Sequence, residues 1–461
     1  MSKPKTVEQL RDMASGIIGI PFSAIDKNGR LATGKGAVGT MIEESWFGQT
    51  PHNDEKPDFA DLGIELKVTP YLKNKAFRSK ERLVCNMINF MKEHEYIDFE
   101  SSSFYRKCNS ILMLFYQHLI DKPKSDYKIS HAKFITLAEI MKNKYGFFFL
   151  LPDEDIEIMR QDWEKIVSKI RDGKAHEISE GDTNYLGACT KASDSSKRVK
   201  QPFSKLEAKP RAFSIKQSYM TYILNNYVIN QLESERLITD GNLLKTKTFE
   251  EVILEKFEPY YGKTDVELAE HFKIDTKSKS FKDRIIAAIL GIKGSINQSE
   301  EFQKASITSK TIRVETNGSI KESMSFPKIN FIDLVDEEWE ESKFYNQIGL
   351  SRFMFSIFKK QGAGYVLKRV KFWNMPEQDL EEAKKVWEHT KDLVKSNNIV
   401  IGGKYGYSVE NFPQSSQNEV SHVRPHDRDL RAGRTLLPNG KMISNYCFWL
   451  NTKYVRTVIE D

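Results

Sequence analysis

Hydrophobic positions recur along this chain with helical spacing in some stretches and with alternating or unbroken spacing in others. A helical pattern begins behind Thr6, an alternating pattern covers residues 64–68, and unbroken apolar runs at 110–120 and 147–151 predict buried strands. Pro152, followed by acids, then opens a long amphipathic helix. The chain is therefore expected to contain both helices and buried strands.

The alternating stretch carries charged residues with a chemical use. In a β-strand Glu65 and Lys67 share one face, and Asp58 lies seven residues before Glu65. Two carboxylates and an ammonium at one strand edge suit phosphodiester chemistry, because oxygen ligands hold Mg²⁺ and the metal lowers the pKa of a bound water. The alternative is an ordinary amphipathic strand with solvated charges.

A helix is predicted just before this strand, because residues 38–47 form an apolar stripe with Glu43 and Glu44 beside it. The two glutamates either belong to a solvated face or bring one carboxylate to the cluster around Asp58.

Composition sets limits on the function. At 461 residues the chain exceeds the usual size of one hydrophobic core, which predicts two or three domains. The net charge of +6 favours a polyanionic partner only weakly when averaged over the chain. The four cysteines are isolated and make no zinc spacing, and no apolar run reaches membrane-spanning length. We therefore expect a cytoplasmic protein with no membrane partner.

Basic residues are concentrated in residues 193–211, which contain six cations and little periodicity. This segment is either a loop that contacts phosphates or a solvated, disordered loop. Arg211 at its end and Lys216 just after it are predicted DNA contacts.

The second half of the chain repeats the first. Two registers, at offsets of 243 and 224 residues, each give several matches. The first register pairs Asp58 with Glu301, Glu65 with Thr308 and Lys67 with Lys310; the second pairs Pro152 with Pro376 and Trp163 with Trp387. Because the second copy has lost the triplet glutamate, we predict a catalytic domain at 1–235 and a binding domain at 236–461.

Several stretches, in the same order, resemble the MutH family and the related type II restriction endonucleases that cut GATC and have two MutH-like domains in one chain. The matching stretches are Lys35-Gly36 through Glu44-Ser45-Trp46-Phe47-Gly48, then Asp58 through Glu65-Leu66-Lys67-Val68-Thr69-Pro70, then Asp162-Trp163-Glu164, and finally Asn184-Tyr185-Leu186 through Lys191-Ala192. The resemblance implies an α/β fold of two tandem restriction-endonuclease-like domains, each of which is a mixed sheet flanked by helices.

The resemblance also implies roles for individual residues. Asp58 and Glu65 would ligate Mg²⁺, Lys67 would position and activate the attacking water, and Glu44 would orient the site. Glu43 remains a rival, because spacing from Lys35 selects Glu43 whereas the fourteen-residue spacing to Asp58 selects Glu44. A further family lysine, near the scissile phosphate, would correspond to Lys107.

Base reading is implied for Lys191 in the first domain, where Cys189-Thr190 departs from the Arg-Pro of the family pattern. The second domain has Arg424-Pro425-His426 instead, which predicts DNA contacts at Arg424 and His426.

The implied function is Mg²⁺-dependent hydrolysis of both strands of duplex DNA at GATC, giving 5′-phosphate and 3′-hydroxyl ends, with the second domain binding DNA and assisting. The implied partners are a second DNA site, a second protein copy on DNA and a cognate DNA methyltransferase. The alternatives are a strand-nicking mismatch-repair endonuclease and a non-catalytic DNA-binding regulator.

Overall fold

The computed structural model of the chain describes residues 3–32, 34, 36–52, 54–73, 76–119, 121–191, 196–229, 235–320, 324–403, 406–427, 429 and 433–460. Lys35, Ala192 and the start of the basic segment therefore lie outside the described residues. The chain forms two compact units. Unit 1 comprises residues 1–178, 182–249 and 303–305, and unit 2 comprises residues 179–181, 250–302 and 306–461.

The division between the units lies after Phe249, whereas the sequence analysis placed it after residue 235. Gln161 explains the difference. Its Nε2 donates to the carbonyl oxygens of Leu244 and Lys247 at 2.7 and 2.9 Å, and its Oε1 accepts from the Phe249 backbone N–H at 3.0 Å. These bonds attach the segment after residue 235 to unit 1.

Unit 1 has eight helices and eight strands among its described residues. The helices are α1 (Val7–Gly16), α2 (Phe22–Ile25), α3 (Ala37–Met41), α4 (Phe90–Glu93), α5 (Ser103–Cys108), α6 (Glu139–Tyr145), α7 (Asp153–Arg171) and α8 (Gln217–Tyr222). The strands are β1 (Glu65–Lys73), β2 (Phe77–Ser79), β3 (Leu83–Met87), β4 (Ser110–Gln117), β5 (Ile129–Thr136), β6 (Phe149–Leu150), β7 (Leu186–Thr190) and β8 (Arg211–Ile215).

A five-stranded mixed sheet with the order β2-β1-β4-β5-β6 forms the centre of unit 1. Strand β4 pairs parallel with β1 and antiparallel with β5. It is a nearly continuous apolar run with both faces covered, as expected of a central strand. A second, antiparallel sheet has the order β3-β8-β7. The first sheet carries the charged triplet at the start of β1.

The main part of unit 2 begins at Glu250, so the first residue of its first helix and the last three residues of its fourth helix belong to unit 1. Its helices are α9 (Phe249–Glu255), α10 (Asp265–His271), α11 (Phe281–Ile289), α12 (Glu300–Ala305), α13 (Phe331–Leu334), α14 (Lys343–Ile348), α15 (Glu377–Lys395) and α16 (Thr452–Glu460). Its strands are β9 (Ile307–Val314), β10 (Met324–Lys328), β11 (Arg352–Gln361), β12 (Gly364–Trp373), β13 (Ile401–Gly402), β14 (Ser408–Val409), β15 (Ser421–Pro425), β16 (Arg434–Leu436), β17 (Met442–Ser444) and β18 (Tyr446–Leu450).

The sheets of unit 2 follow the same plan as those of unit 1. A mixed sheet has the order β12-β11-β9, with β11 parallel to β9 and antiparallel to β12, and an antiparallel sheet has the order β10-β18-β15. The long helices α7 and α15 both contain 19 residues and both follow a proline. Each unit is therefore a mixed sheet flanked by helices, as the family resemblance implies, and the two units are alike, as the repeat in the sequence predicts.

Local signals in the sequence also match the structure. The Thr6 side chain accepts a hydrogen bond from the Gln9 backbone N–H and caps α1. The apolar run at 147–151 forms a shorter strand than predicted, because only Phe149–Leu150 pairs with β5.

Among the described residues, no helix has the length and apolar character needed to cross a bilayer.

Candidate active site and nucleic-acid contacts

The start of β1 brings Asp58 and Glu65 together through backbone hydrogen bonds. The Asp58 N–H donates to Glu65 Oε2 at 3.0 Å, and the Leu66 N–H donates to Asp58 Oδ2 at 2.9 Å. Between them, Gly63 adopts a φ of +67° in a tight turn, a conformation that glycine adopts without steric cost. This reciprocal arrangement fixes both carboxylates at one strand end, as the sequence predicts.

Two lysines approach the same carboxylate. Lys67 Nζ lies 2.8 Å and Lys107 Nζ 3.8 Å from Glu65 Oε1. Lys67 also donates to the Cys85 carbonyl oxygen at 3.2 Å, and Lys107 to the Asp54 carbonyl oxygen at 2.8 Å. Both predicted lysines therefore belong to the cluster, although Lys107 comes from α5, far along the chain.

The helix before the strand widens into a π-helical turn at Ile42–Trp46. This turn holds one more residue than a turn of α-helix, and it rotates the following side chains about the helix axis. Glu43 is the glutamate that comes close to Asp58 and Glu65. Its Oε1 is buried and has no hydrogen-bond partner among the described residues.

Glu44 points away from the cluster. Arg30 holds its carboxylate in a fork, with Nε 2.8 Å from Oε2 and Nη2 2.6 Å from Oε1. These hydrogen bonds lower the pKa of Glu44. The structure thus places Glu43, and not the predicted Glu44, at the site.

Three carboxylates in close proximity leave the site short of positive charge. Burial, together with the charges of Asp58 and Glu65, raises the pKa of Glu43 to about 7. Burial alone would lower the pKa of Lys67, but the adjoining Glu65 carboxylate raises this pKa above its usual value.

The donor set suits a hard divalent cation. Among the described residues, no group of three or more acidic, His or Cys side chains is arranged to enclose a metal ion. Mg²⁺ is typically held by one or two carboxylates together with water and substrate phosphate, so Asp58 and Glu65 suffice. The unpartnered Oε1 of Glu43 beside them supports the fit.

Comparison with known proteins identifies the family of the chain. The family model of the DNA mismatch repair enzyme MutH matches residues 47–145, which include Asp58, Glu65, Lys67 and Lys107 but not Glu43. The type II restriction enzyme Sau3AI of Staphylococcus aureus is 36% identical, and the alignment covers 99% of both chains. The chain belongs to the MutH-related type II restriction enzymes.

Mismatch repair proteins align with about half of this enzyme. MutH of Shewanella woodyi is 26% identical over 48% of the chain and 92% of its own length, and MutH of Escherichia coli is 23% identical over 50% and 97%. The membership identifies the chain as a site-specific deoxyribonuclease.

In unit 1 of the enzyme, a buried acid fixes the strand that leads to Lys191. Asp162 accepts hydrogen bonds from the backbone N–H groups of Asn184, Tyr185 and Leu186 at 2.7, 2.6 and 2.9 Å. Strand β7 starts there, and the exposed Lys191 follows its end. Asp162 lies in one of the stretches that resemble the family, but the sequence analysis assigned it no role.

We expect the substitution Asp162→Ala to destabilise the enzyme by roughly 3 kcal/mol, because three buried N–H groups lose their acceptor. Urea unfolding monitored by tryptophan fluorescence measures the loss. Asp172→Ala, at the exposed end of α7, is the control and should change stability little. Equal stability of the two variants would contradict this role of Asp162.

Two predicted DNA contacts of unit 1 are instead internal. Arg211 is 2% exposed, and its Nη1 donates to the Ala188 carbonyl oxygen at 2.8 Å. Lys216 is also buried, and its ammonium donates to the Thr183 carbonyl oxygen. These cations hold the second sheet together, so the structure corrects their assignment to a DNA surface.

The predicted contacts of unit 2 lie on one exposed sheet edge. The Arg424 guanidinium stacks on the Trp449 ring at 3.9 Å, and Trp449 Nε1 donates to the Arg424 carbonyl oxygen at 3.3 Å. His426 is exposed beside them, with Nδ1 3.1 Å from Asp427 Oδ1. Trp449 and Asp427 hold the Arg424 and His426 side chains in defined positions, which the sequence did not reveal.

Glu301, which the repeat aligned with Asp58, does not lie at the start of β9 in the way that Asp58 lies at the start of β1. Glu301 lies in α12 and is buried. A single offset of 243 fails here because the connection between the acid and the strand differs in length between the units.

Proposed function

We propose that this enzyme hydrolyses both strands of duplex DNA at GATC in a Mg²⁺-dependent reaction that leaves 5′-phosphate and 3′-hydroxyl ends. The observation that carries the proposal is the convergence of Asp58, Glu65 and Lys67 at the start of β1. The GATC site is supported by the order of family motifs in the sequence and by the similarity to Sau3AI along the whole chain.

Asp58 and Glu65 would hold Mg²⁺, with Glu43 completing the acidic side of the site. When bound, the metal acidifies a water and offsets charge on the phosphate. Lys67, which is paired with Glu65, would position and activate the attacking water. Lys107, held by Asp54, provides a second ammonium for charge that develops on the non-bridging oxygens.

Unit 1 would read the duplex through Lys191, and unit 2 would bind DNA without cutting it. The Arg424–Trp449 stack supports this division, because a planar guanidinium held on an aromatic ring presents its remaining N–H groups for bidentate contact with guanine or phosphate. We further propose that unit 2 engages a second site or the other half of the same duplex, that two copies meet on DNA, and that a cognate methyltransferase in the cytoplasm protects host sites.

Supercoiled plasmid carrying GATC sites tests the reaction. With Mg²⁺ we expect linear fragments, and sequencing of their ends should place every cut at GATC. Stable nicked circles would favour a strand-nicking repair enzyme, and intact DNA that still shifts on a gel would favour a non-catalytic binder. Cleavage of plasmids that are methylated at adenine or at cytosine shows which modification protects the DNA.

The substitution Arg424→Ala should weaken DNA binding by roughly tenfold, equivalent to about 1.4 kcal/mol for one charged contact, while leaving the site of unit 1 intact. Fluorescence anisotropy in Ca²⁺ measures affinity, and single-turnover cleavage measures the chemical step. The matched control is Arg456→Ala, because Arg456 is a surface arginine of α16 that pairs with Glu460. Equal affinities of the two variants would remove Arg424 from the interface.

A further inference from the structure

Unit 2 contains a counterpart of the catalytic site that keeps its backbone geometry. Strand β9 pairs parallel with β11, as β1 does with β4. The Ser309 N–H donates to Asn297 Oδ1 at 3.0 Å, just as the Leu66 N–H donates to Asp58 Oδ2 at 2.9 Å. Asn297 therefore occupies the place of Asp58.

The counterpart differs from unit 1 in charge. Thr308 stands where unit 1 has Glu65, and both Thr308 and Lys310 are partly exposed. Lys67 pairs with Glu65, whereas Lys310, in the place of Lys67, has no ion pair with any other described residue. Two carboxylates have been replaced by an amide and a hydroxyl, while the lysine has been retained.

One acid remains nearby on a different face. Asp283 of α11 accepts a hydrogen bond from the Thr311 hydroxyl at 2.6 Å. Because side chains alternate along a strand, Thr311 and Lys310 point to opposite faces of β9. The face that carries Lys310 thus presents an ammonium, a hydroxyl and the Asn297 amide, whose Nδ2 has no partner among the described residues.

We propose that this place in unit 2 is a metal-independent binding site for a backbone phosphate of DNA, with Lys310 as the contacting cation. In unit 1 a phosphate would meet three carboxylates, so a divalent cation must offset their repulsion. In unit 2 the ammonium, hydroxyl and amide N–H groups bind the phosphate oxygens directly. The inference rests on the proposed DNA binding by unit 2.

The full chain in EDTA tests the proposal, with the anisotropy of a labelled duplex recorded at several salt concentrations. Wild type should bind, and Lys310→Ala should lose about 3- to 10-fold in affinity and about one unit of salt slope. Lys310→Arg should retain both. Lys368→Ala, which removes an exposed lysine from β12 at the other edge of the same sheet, is the control and should behave as wild type.

A reciprocal variant tests the role of charge. Asn297→Asp combined with Thr308→Glu should weaken binding in EDTA, and Ca²⁺ should restore it. Wild type that does not bind in EDTA, Lys310→Ala that binds as tightly as wild type, or a double variant insensitive to Ca²⁺ would each overturn the proposal. Cleavage at GATC in Mg²⁺ is measured separately for each protein. A loss of cleavage by the wild type would show that the proposed reaction fails, independently of the phosphate site in unit 2.

Discussion

Replacing Asp58 with alanine should reduce DNA cleavage by at least about a thousandfold, comparable to losing one group that stabilises charge in a transition state. Binding to DNA in Ca²⁺ should persist, because the remaining contacts of both units are untouched. Asp58→Asn should be equally inactive yet well folded, since Asn297 shows that an amide can accept the same backbone hydrogen bond. Single-turnover cleavage and anisotropy measure the two properties.

Asp61→Ala is the matched control for this prediction. Asp61 lies three residues after Asp58, on the exposed 3₁₀ turn before β1. The Asp61→Ala variant should therefore cleave DNA at the wild-type rate. If Asp58→Ala still cuts, or if both aspartate variants fail equally, the assignment of Asp58 to the metal is wrong.

Glu43→Gln should lower cleavage by roughly a hundredfold, whereas Glu44→Gln should leave it close to wild type. The reason is geometric: Glu43 faces Asp58, while Glu44 is held by Arg30. Single-turnover rates at saturating Mg²⁺ make the comparison. A larger loss for Glu44→Gln would assign the acid to the second glutamate.

The substitution Glu43→Gln should also alter the stability of the folded enzyme in a pH-dependent way. Glu43 has a pKa of about 7 in the folded chain against a usual value of 4.5, so the folded state binds more protons between these values. Its contribution to stability is therefore complete below about pH 4.5 and is lost as the pH rises to about 7.

In EDTA at pH 8, Glu43→Gln should melt a few degrees above wild type, because the repulsion among the three carboxylates is reduced. The difference should shrink as the pH falls toward 5. Differential scanning fluorimetry across this range records it. A variant that melts below wild type at pH 8 would contradict the raised pKa.

Much of the fold and the centre of the site follow from local patterns. The alternation around Glu65 and Lys67, and the spacing back to Asp58, suffice to predict their convergence, because a short turn and a strand determine it. The repeat predicts two similar units, since the signals for a long helix behind a proline and for the charged strand recur, and the family resemblance supplies the mixed sheet flanked by helices.

Other features depend on the direction of side chains, which composition does not reveal. Arg211 and Lys216 look like surface cations in the sequence, but neighbouring carbonyl oxygens bind them inside unit 1. Glu301 aligned with Asp58 by a fixed offset, whereas a longer connection lets Asn297 take that position. Lys107 was found only through family resemblance, because α5 reaches the site through tertiary packing.

The widened helical turn at Ile42–Trp46 has a consequence for comparing relatives of this enzyme. When a relative gains or loses one residue inside this turn, we expect the acid that faces Asp58 to keep its place in space while it shifts by one position in an alignment. Substitutions inferred from aligned columns would then be made at the neighbouring, arginine-bound glutamate. Superposing the carboxylates in three dimensions, rather than matching columns, identifies the equivalent residue.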